Sequence, residues 1–293
     1  MKPLDTVAAI VAAVVWGLTF IAIKYGLEAA PPFLLTALRF TFAAFPLVFF
    51  LKPPAAPWRI VALYGLLIGV CQFGLLFVAV HEGMPVGLAS LVIQVQVYFT
   101  ILLAGLVFGE RPTRVQLVGA GVALAGMGVI AAARWGHASP WPFVLTLGAA
   151  LCWGGGNVVG KRIGRVDPIA FIAWSSLVAP LPMLALSMAT APQATVAALL
   201  HPSLKLALCV AALSYGGTLF SYGLWARLLA KYSAAAVMPF ALLVPVAAMV
   251  SAALLFGERP SELELIGAAV VMLGLALNVM SGRFAGDLAR QSA

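Results

Sequence analysis

The sequence predicts an all-α polytopic membrane protein: ten transmembrane helices arranged as two inverted five-helix repeats, with both termini cytoplasmic. Three observations predict it. Of 293 residues, 63% are hydrophobic and 9% charged, whereas a soluble domain carries about 25% charged residues. So few charges leave most of the apolar surface uncovered in water. The apolar residues also fall into ten runs of spanning length, and two short strings recur at nearly constant offsets.

A spanning helix needs about 20 mostly apolar residues. In order, the windows are Thr6–Ile23, Phe33–Leu51, Ile60–Val80, Gly83–Gly109, Val115–Ala133, Ala138–Gly160, Pro168–Thr190, Leu206–Ala226, Tyr232–Gly257 and Leu265–Gly282. One lysine precedes the first window, which reaches full spanning length. It reads as a first helix and not as a cleaved signal peptide. The second qualifies if Arg39 is tolerated inside it. The seventh stops near Thr190, because Pro192 and Pro202 break the uncharged stretch that follows. The runs are continuously apolar and do not alternate with period two, which excludes a β-barrel. The remaining residues make short loops, too short for a soluble domain.

The repeat is read from matched strings. Phe-Gly-Glu-Arg-Pro occurs at Phe108–Pro112 and again at Phe256–Pro260, an offset of 148. Gly119-Ala120 then aligns with Gly267-Ala268, and Gly126 with Gly274. Near the start of each half, Trp16-Gly17 followed by Lys24 matches Trp153-Gly154 followed by Lys161, and Pro31 matches Pro168, at an offset of 137. The expected units are residues 1–136, with helices one to five, and 137–293, with helices six to ten. Five is odd, so the second unit enters the membrane the other way round. Inverted repeats are a hallmark of secondary transporters, which hold substrate at the repeat interface near the midplane.

With a cytoplasmic N-terminus, twelve of the 17 Lys and Arg residues fall on cytoplasmic ends. Four (Lys24, Arg134, Lys205 and Arg259) fall outside, and Arg39 lies within helix two. This bias follows the positive-inside rule. It also accounts for the net charge of +8 without a nucleic-acid partner, since the basic residues stand singly between apolar runs.

Together the Trp16-Gly17 signature, the paired Gly-Glu-Arg-Pro turns and the Gly-rich fifth and tenth helices resemble the ten-helix branch of the drug/metabolite transporter superfamily, the EamA-domain family. The stretch Gly83–Leu103 is similar to bacterial exporters of cysteine and O-acetylserine, with aromatic amino-acid exporters as relatives. The resemblance covers about residues 5–281. It implies a multi-pass protein of the bacterial inner membrane, exporting amino acids or related small metabolites by alternating access. It also implies a central cavity lined by helices one, three, four, six, eight and nine. A nucleotide-sugar or sugar-phosphate transporter and a small-solute channel are the alternatives. The former wants paired cations at the midplane, where this chain offers Arg39, and no channel filter is visible.

Polar residues in lipid are costly and usually face the bundle interior or a cavity; the competing explanation is an interhelical hydrogen bond. On helix four, Gln94 and Tyr98 are four apart and share a face. Gln96 and Thr100 share another, so the two glutamines are expected to face different neighbours. The repeat mates of Gln94 and Gln96, Leu242 and Val244, are apolar, which predicts a chemically asymmetric cavity. Helix eight carries Tyr215, Thr218, Tyr222 and Trp225 at helical spacing. Tyr215 and Tyr222 are candidate substrate contacts, and Trp225 beside Arg227 reads as an interfacial anchor. Asn157 follows three glycines that thin helix six, and Gln72 lies within helix three. Trp16 sits mid-helix, where it is a cavity wall or core packing, as is Trp153. Arg39 either snorkels to the outer surface or contacts a substrate carboxylate. Pro239 and Pro245 interrupt helix nine, each removing a backbone donor, and mark it as a moving gate.

All nine acidic residues lie in loops, tails or helix ends. Proton relays usually use buried Asp, Glu or His, which weakens the case for proton antiport, and the expectation is uniport or gradient-driven efflux. No Walker loop is present, no Cys/His cluster suggests a metal, and no buried acid–base set suggests an enzyme. Cys71, Cys152 and Cys209 lie inside apolar stretches and read as unpaired thiols. No cofactor is expected. The partners are a small-molecule substrate and the lipid bilayer; the oligomeric state is left open.

Overall fold

The structure is a computed structural model. It describes residues 1–45, 47–134, 139–163, 166–232 and 234–291, and all their side chains except those of 230, 234, 235 and 281–291. The expected boundary between residues 136 and 137, together with His137 and Arg165, lies outside the described residues, as do the side chains of Arg283, Asp287 and Arg290.

Among the described residues the fold is helical, and ten helices are long and apolar enough to cross a membrane. They are α1 Pro3–Leu27, α2 Pro32–Phe50, α3 Trp58–His81, α4 Val86–Phe108, α5 Arg114–Arg134, α6 Trp141–Lys161, α7 Pro168–Thr190, α8 Leu204–Leu229, α9 Met238–Phe256 and α10 Glu262–Met280. A separate short helix, Pro192–Leu200, follows α7. The proline break expected there is real, because proline cannot continue the preceding helix. Leu102, Leu106, Leu181 and Leu254 are exposed on the outside of the bundle, where lipid tails take the place of a packing partner.

Local chemistry explains the recurring pentapeptide. Gly109 and Gly257 end α4 and α9 in the left-handed region, at φ 70° and 64°, a conformation that glycine adopts without a Cβ penalty. Just after the prolines, Thr113 and Gln116 exchange hydrogen bonds at the start of α5, at 2.8 and 3.2 Å. Ser261 and Glu264 do the same at the start of α10, at 2.7 and 3.3 Å. Each pair is a capping box that satisfies two orphan backbone donors. The string therefore stops one helix and, within a few residues, starts the next.

Small residues bring backbones together. A Cβ on Gly126 would lie 2.7 Å from the Gly267 carbonyl oxygen, and one on Gly274 would lie 2.6 Å from that of Gly119. The α5–α10 pair thus packs glycine against backbone twice. Trp16-Gly17 has the same logic: a Cβ on Gly17 would lie 2.6 Å from Ala247 Cβ and 2.7 Å from the Val244 carbonyl oxygen of α9. One on Gly154 would lie 2.8 Å from Phe99 Cβ of α4. The glycine lets the helices touch and leaves the adjacent tryptophan free to face inward.

Four helices depart from α geometry where they approach the centre. Residues Leu66–Gln72 of α3 and Ala212–Phe220 of α8 are π-helical. Ile93–Val95 of α4 is a 3-10 turn, as is Met238–Leu242 of α9. Such segments are frequent at functional sites because they re-aim side chains.

Candidate functional site

A cavity of about 280 Å³ lies at the centre of the bundle. Its walls come from α1 (Trp16, Thr19, Phe20, Ile23), α3 (Gln72, Phe73, Leu76), α4 (Ile93, Gln94, Gln96), α6 (Trp153, Asn157), α8 (Tyr222, Trp225) and α9 (Met238, Ala241, Val244), with Arg39 from α2. Volume and lining fit a small-molecule site: apolar and aromatic walls with a few polar groups.

Arg39 dominates the electrostatics. It is 3% exposed and does not snorkel. Its Nη2 donates to Thr218 Oγ1 at 3.2 Å, and its guanidinium carbon lies 3.8 Å from the Phe73 ring centroid. Its backbone carbonyl accepts from Ser214 Oγ at 2.8 Å. Both α8 partners sit in the π-helical segment, so that irregularity is what turns Ser214 and Thr218 toward α2. Nε and Nη1 of Arg39 have no hydrogen-bond partner among the described residues, and neither does Gln72 Oε1. Leaving such groups buried and unmatched is costly. Beside the cavity, then, lie unpaired buried donors on a cation and an unpaired buried acceptor on an amide.

Trp16 is held by its indole, which donates to the Gly217 carbonyl at 2.9 Å. Its ring packs on Tyr222 at 5.0 Å and Trp225 at 5.2 Å between centroids. On the opposite wall Asn157 Nδ2 donates to Gln96 Oε1 at 2.7 Å and to Thr100 Oγ1 at 3.1 Å.

Of the residues singled out from the sequence, Trp16, Arg39, Gln72, Gln94, Asn157 and Tyr222 meet at this cavity. Tyr98 and Tyr215 lie off it. Tyr98 packs against the Leu91–Val95–Met127 cluster, with its hydroxyl buried and unpartnered. Tyr215 is 43% exposed: the π-helical turn carries about one extra residue per turn, which swings it out of line with Tyr222. Pro239 and Pro245 stand beside lining residues Met238 and Val244 without lining the cavity themselves.

Gln94 and Gln96 do face one cavity, contrary to the expectation from α-helical periodicity. The 3-10 turn advances by about 120° per residue, so residues two apart come closer in angle than in an α-helix. Trp225 is a second correction: it is buried, not an interfacial anchor, and lies three residues beyond Tyr222 on one face. Phe73, Met238 and Ala241 carried no polar or periodic signal, and Thr19, a small hydroxyl in an apolar run, was not singled out in advance.

The sequence model of the EamA-like transporter family matches residues 6–132 and again 140–280. Two curated relatives, each called "Probable amino-acid metabolite efflux pump", are similar over nearly their whole length. The Escherichia coli (strain K12) protein is 40% identical over 97% of both chains, and the Salmonella typhimurium protein is 39% identical over 97% of both. A solved crystal structure at 22% identity superposes on 97% of this chain and 99% of its own with a TM-score of 0.66, which shows a shared fold. This chain belongs to the EamA-like transporter family.

Proposed function

We infer that the protein exports amino acids or related small metabolites across the bacterial inner membrane by alternating access. The observation that carries this reading is the pairing, in one aromatic-walled cavity, of unpartnered Arg39 N–H groups with the unpartnered Gln72 Oε1. Arg39 offers charge-assisted bonds to a carboxylate, and Gln72 offers an acceptor to an ammonium. Trp16, Gln94, Asn157 and Tyr222 complete the contacts. Tyr98 and Tyr215 would join only through a change of state. The names of the two relatives agree with such a cargo.

Residues 1–136 and 137–293 act as two inverted repeats with both termini cytoplasmic. The twofold family match, the identical caps of the two pentapeptides and the distribution of Lys and Arg support this. Around Pro239 and Pro245, α9 is the moving gate. Reporter fusions at the two Gly-Glu-Arg-Pro turns should report opposite sides of the membrane; the same side would end the inverted arrangement.

The functional test is counterflow of a panel of labelled amino acids in proteoliposomes. At least one should exchange, and Arg39→Gln should lower its exchange more than about 10-fold, equivalent to about 1.4 kcal/mol of lost binding. Wild-type liposomes that move none of the panel would refute the reading. Replacing both Pro239 and Pro245 by alanine should change the rate at equal protein density.

A further inference from the structure

A second, smaller space lies behind Arg39. It holds about 20 Å³, above the roughly 10–15 Å³ that a single water needs and far too small for a metabolite. Arg39, Phe73 and Tyr222 border both this chamber and the central cavity, whereas Tyr64, Ser175 and Ser176 border the chamber only. Arg39 therefore touches both spaces.

The chamber surrounds a charge that the protein leaves unbalanced. No carboxylate lines either space among the described residues, and the described ion pairs all lie near helix ends. A buried guanidinium without a counter-charge costs several kcal/mol (about 3–5 when one member of a buried pair is removed). A substrate carboxylate supplies that charge when the central cavity is loaded. During the substrate-free return that an alternating-access carrier must make, no carboxylate is at hand.

The donors to hold a small anion are in place. Arg39 Nε and Nη1 are unpartnered. Tyr64 and Tyr222 line the chamber, and among the described residues neither is recorded with a hydrogen bond. Ser175 and Ser176 spend their protons on the Ile172 carbonyl, at 3.1 and 2.7 Å, so they are not donors. Water would satisfy the N–H groups but not the charge; a monovalent halide satisfies both. A whole amino acid does not fit the chamber.

We propose that the chamber behind Arg39 binds one chloride ion, held by Arg39, Tyr64 and Tyr222, as the counter-ion of the substrate-free carrier. Chloride and the substrate carboxylate then compete for one guanidinium from the two spaces. Only this competition rests on the proposed function; the anion site does not.

The test uses purified full-length protein in detergent. Thermal unfolding is compared in sodium chloride and in sodium gluconate at equal ionic strength, with bromide as a second halide. A ligand that binds only the folded state raises the midpoint, and the wild type should gain about 3 °C or more in either halide. Arg39→Gln should abolish the gain. Tyr64→Phe should at least halve it, and should fold, because Tyr64 packs edge-on against Phe171 at 4.7 Å through its ring. Equal midpoints of the wild type in chloride and gluconate would overturn the proposal, and so would a halide gain that both variants retain. In a second arm, the apparent Kd of a labelled amino acid should rise several-fold in chloride for the wild type and less for Tyr64→Phe, the two being equal in gluconate. If halides stabilise the protein but no amino acid binds in gluconate, the proposed cargo falls and the anion site stands. If amino acids bind and halides do nothing, the reverse holds.

Discussion

Where α1 meets α9, Gly17 rests on Val244 and Ala247; where α6 meets α4, Gly154 rests on Phe99 and Thr100. The offsets of the sequence repeat relate these contacts position by position. Their chemistry differs. Asn157, Gln96 and Thr100 form a hydrogen-bonded trio across one interface. Phe20, Val244 and Ala248 stand at the corresponding places in the other, and two of them, Phe20 and Val244, line the apolar part of the cavity wall. The ends differ as well. Glu258 accepts from Lys24 Nζ at 2.9 Å and from the backbone N–H groups of Val86 and Gly87, both at 3.2 Å. Its mate Glu110 pairs with Lys161, and both side chains are about half exposed. Tyr25 and Phe256 stack beside the Lys24–Glu258 pair at 4.9 Å. Close approach of backbones is a demand both interfaces share. Polarity and ion pairing are not, so contacts matched in sequence carry an asymmetric site.

The comparison can be broken most severely at its shared element. Gly17→Leu and Gly154→Leu should each cost about 3 kcal/mol or more, since the neighbouring atoms are backbone and cannot yield. Both should lose most folded protein in size-exclusion profiles of detergent extracts; one tolerant site would mean the two contacts are not equivalent.

The ion pairs sharpen it next. Glu258→Gln should cost about 1–3 kcal/mol, because a partly buried carboxylate with three donors loses its charge-assisted bonds. Glu110→Gln should stay within about 0.5 kcal/mol, as for other exposed pairs. Thermal unfolding of the two variants side by side measures the difference, and equal losses would remove the asymmetry of the ends.

The polar trio comes third. Asn157→Leu should lower stability by about 1 kcal/mol, the scale of interhelical hydrogen bonds in membranes, while weakening amino-acid exchange more than Phe20→Leu does. The smallest effect is expected at Pro239. The 3-10 turn of α4 forms without any proline, so the matching turn of α9 owes its shape to packing as much as to Pro239. Pro239→Ala should move the unfolding midpoint by less than about 2 °C, whatever it does to rate.

The start of α1 and the end of α8 carry one further link. Lys231 donates to Asp5 at 2.6 Å, and that bond holds the Lys231 ammonium above its ordinary pKa. Both residues are at helix ends, where the sequence placed all its acids.

Ten helices, their order and the recurring strings that separate them were readable from the chain alone. Each depends on composition or on residues adjacent in sequence: an apolar run is long enough or not, and a Gly-Glu-Arg-Pro string stops a helix wherever it occurs. The inward placement of Gln72 and Asn157 was also legible, because a polar group in lipid must turn inward, whereas Arg39 could equally have snorkelled and its burial was not. Which polar residues share one wall was decided only by the tertiary structure. Sequence periodicity assumes about 100° per residue throughout a helix. The π-helical turns of α3 and α8 and the 3-10 turn of α4 break that rule. They rotate Tyr215 outward, bring Gln94 and Gln96 together and aim Thr218 at Arg39, and they exist because helices packed from distant parts of the chain stabilise them.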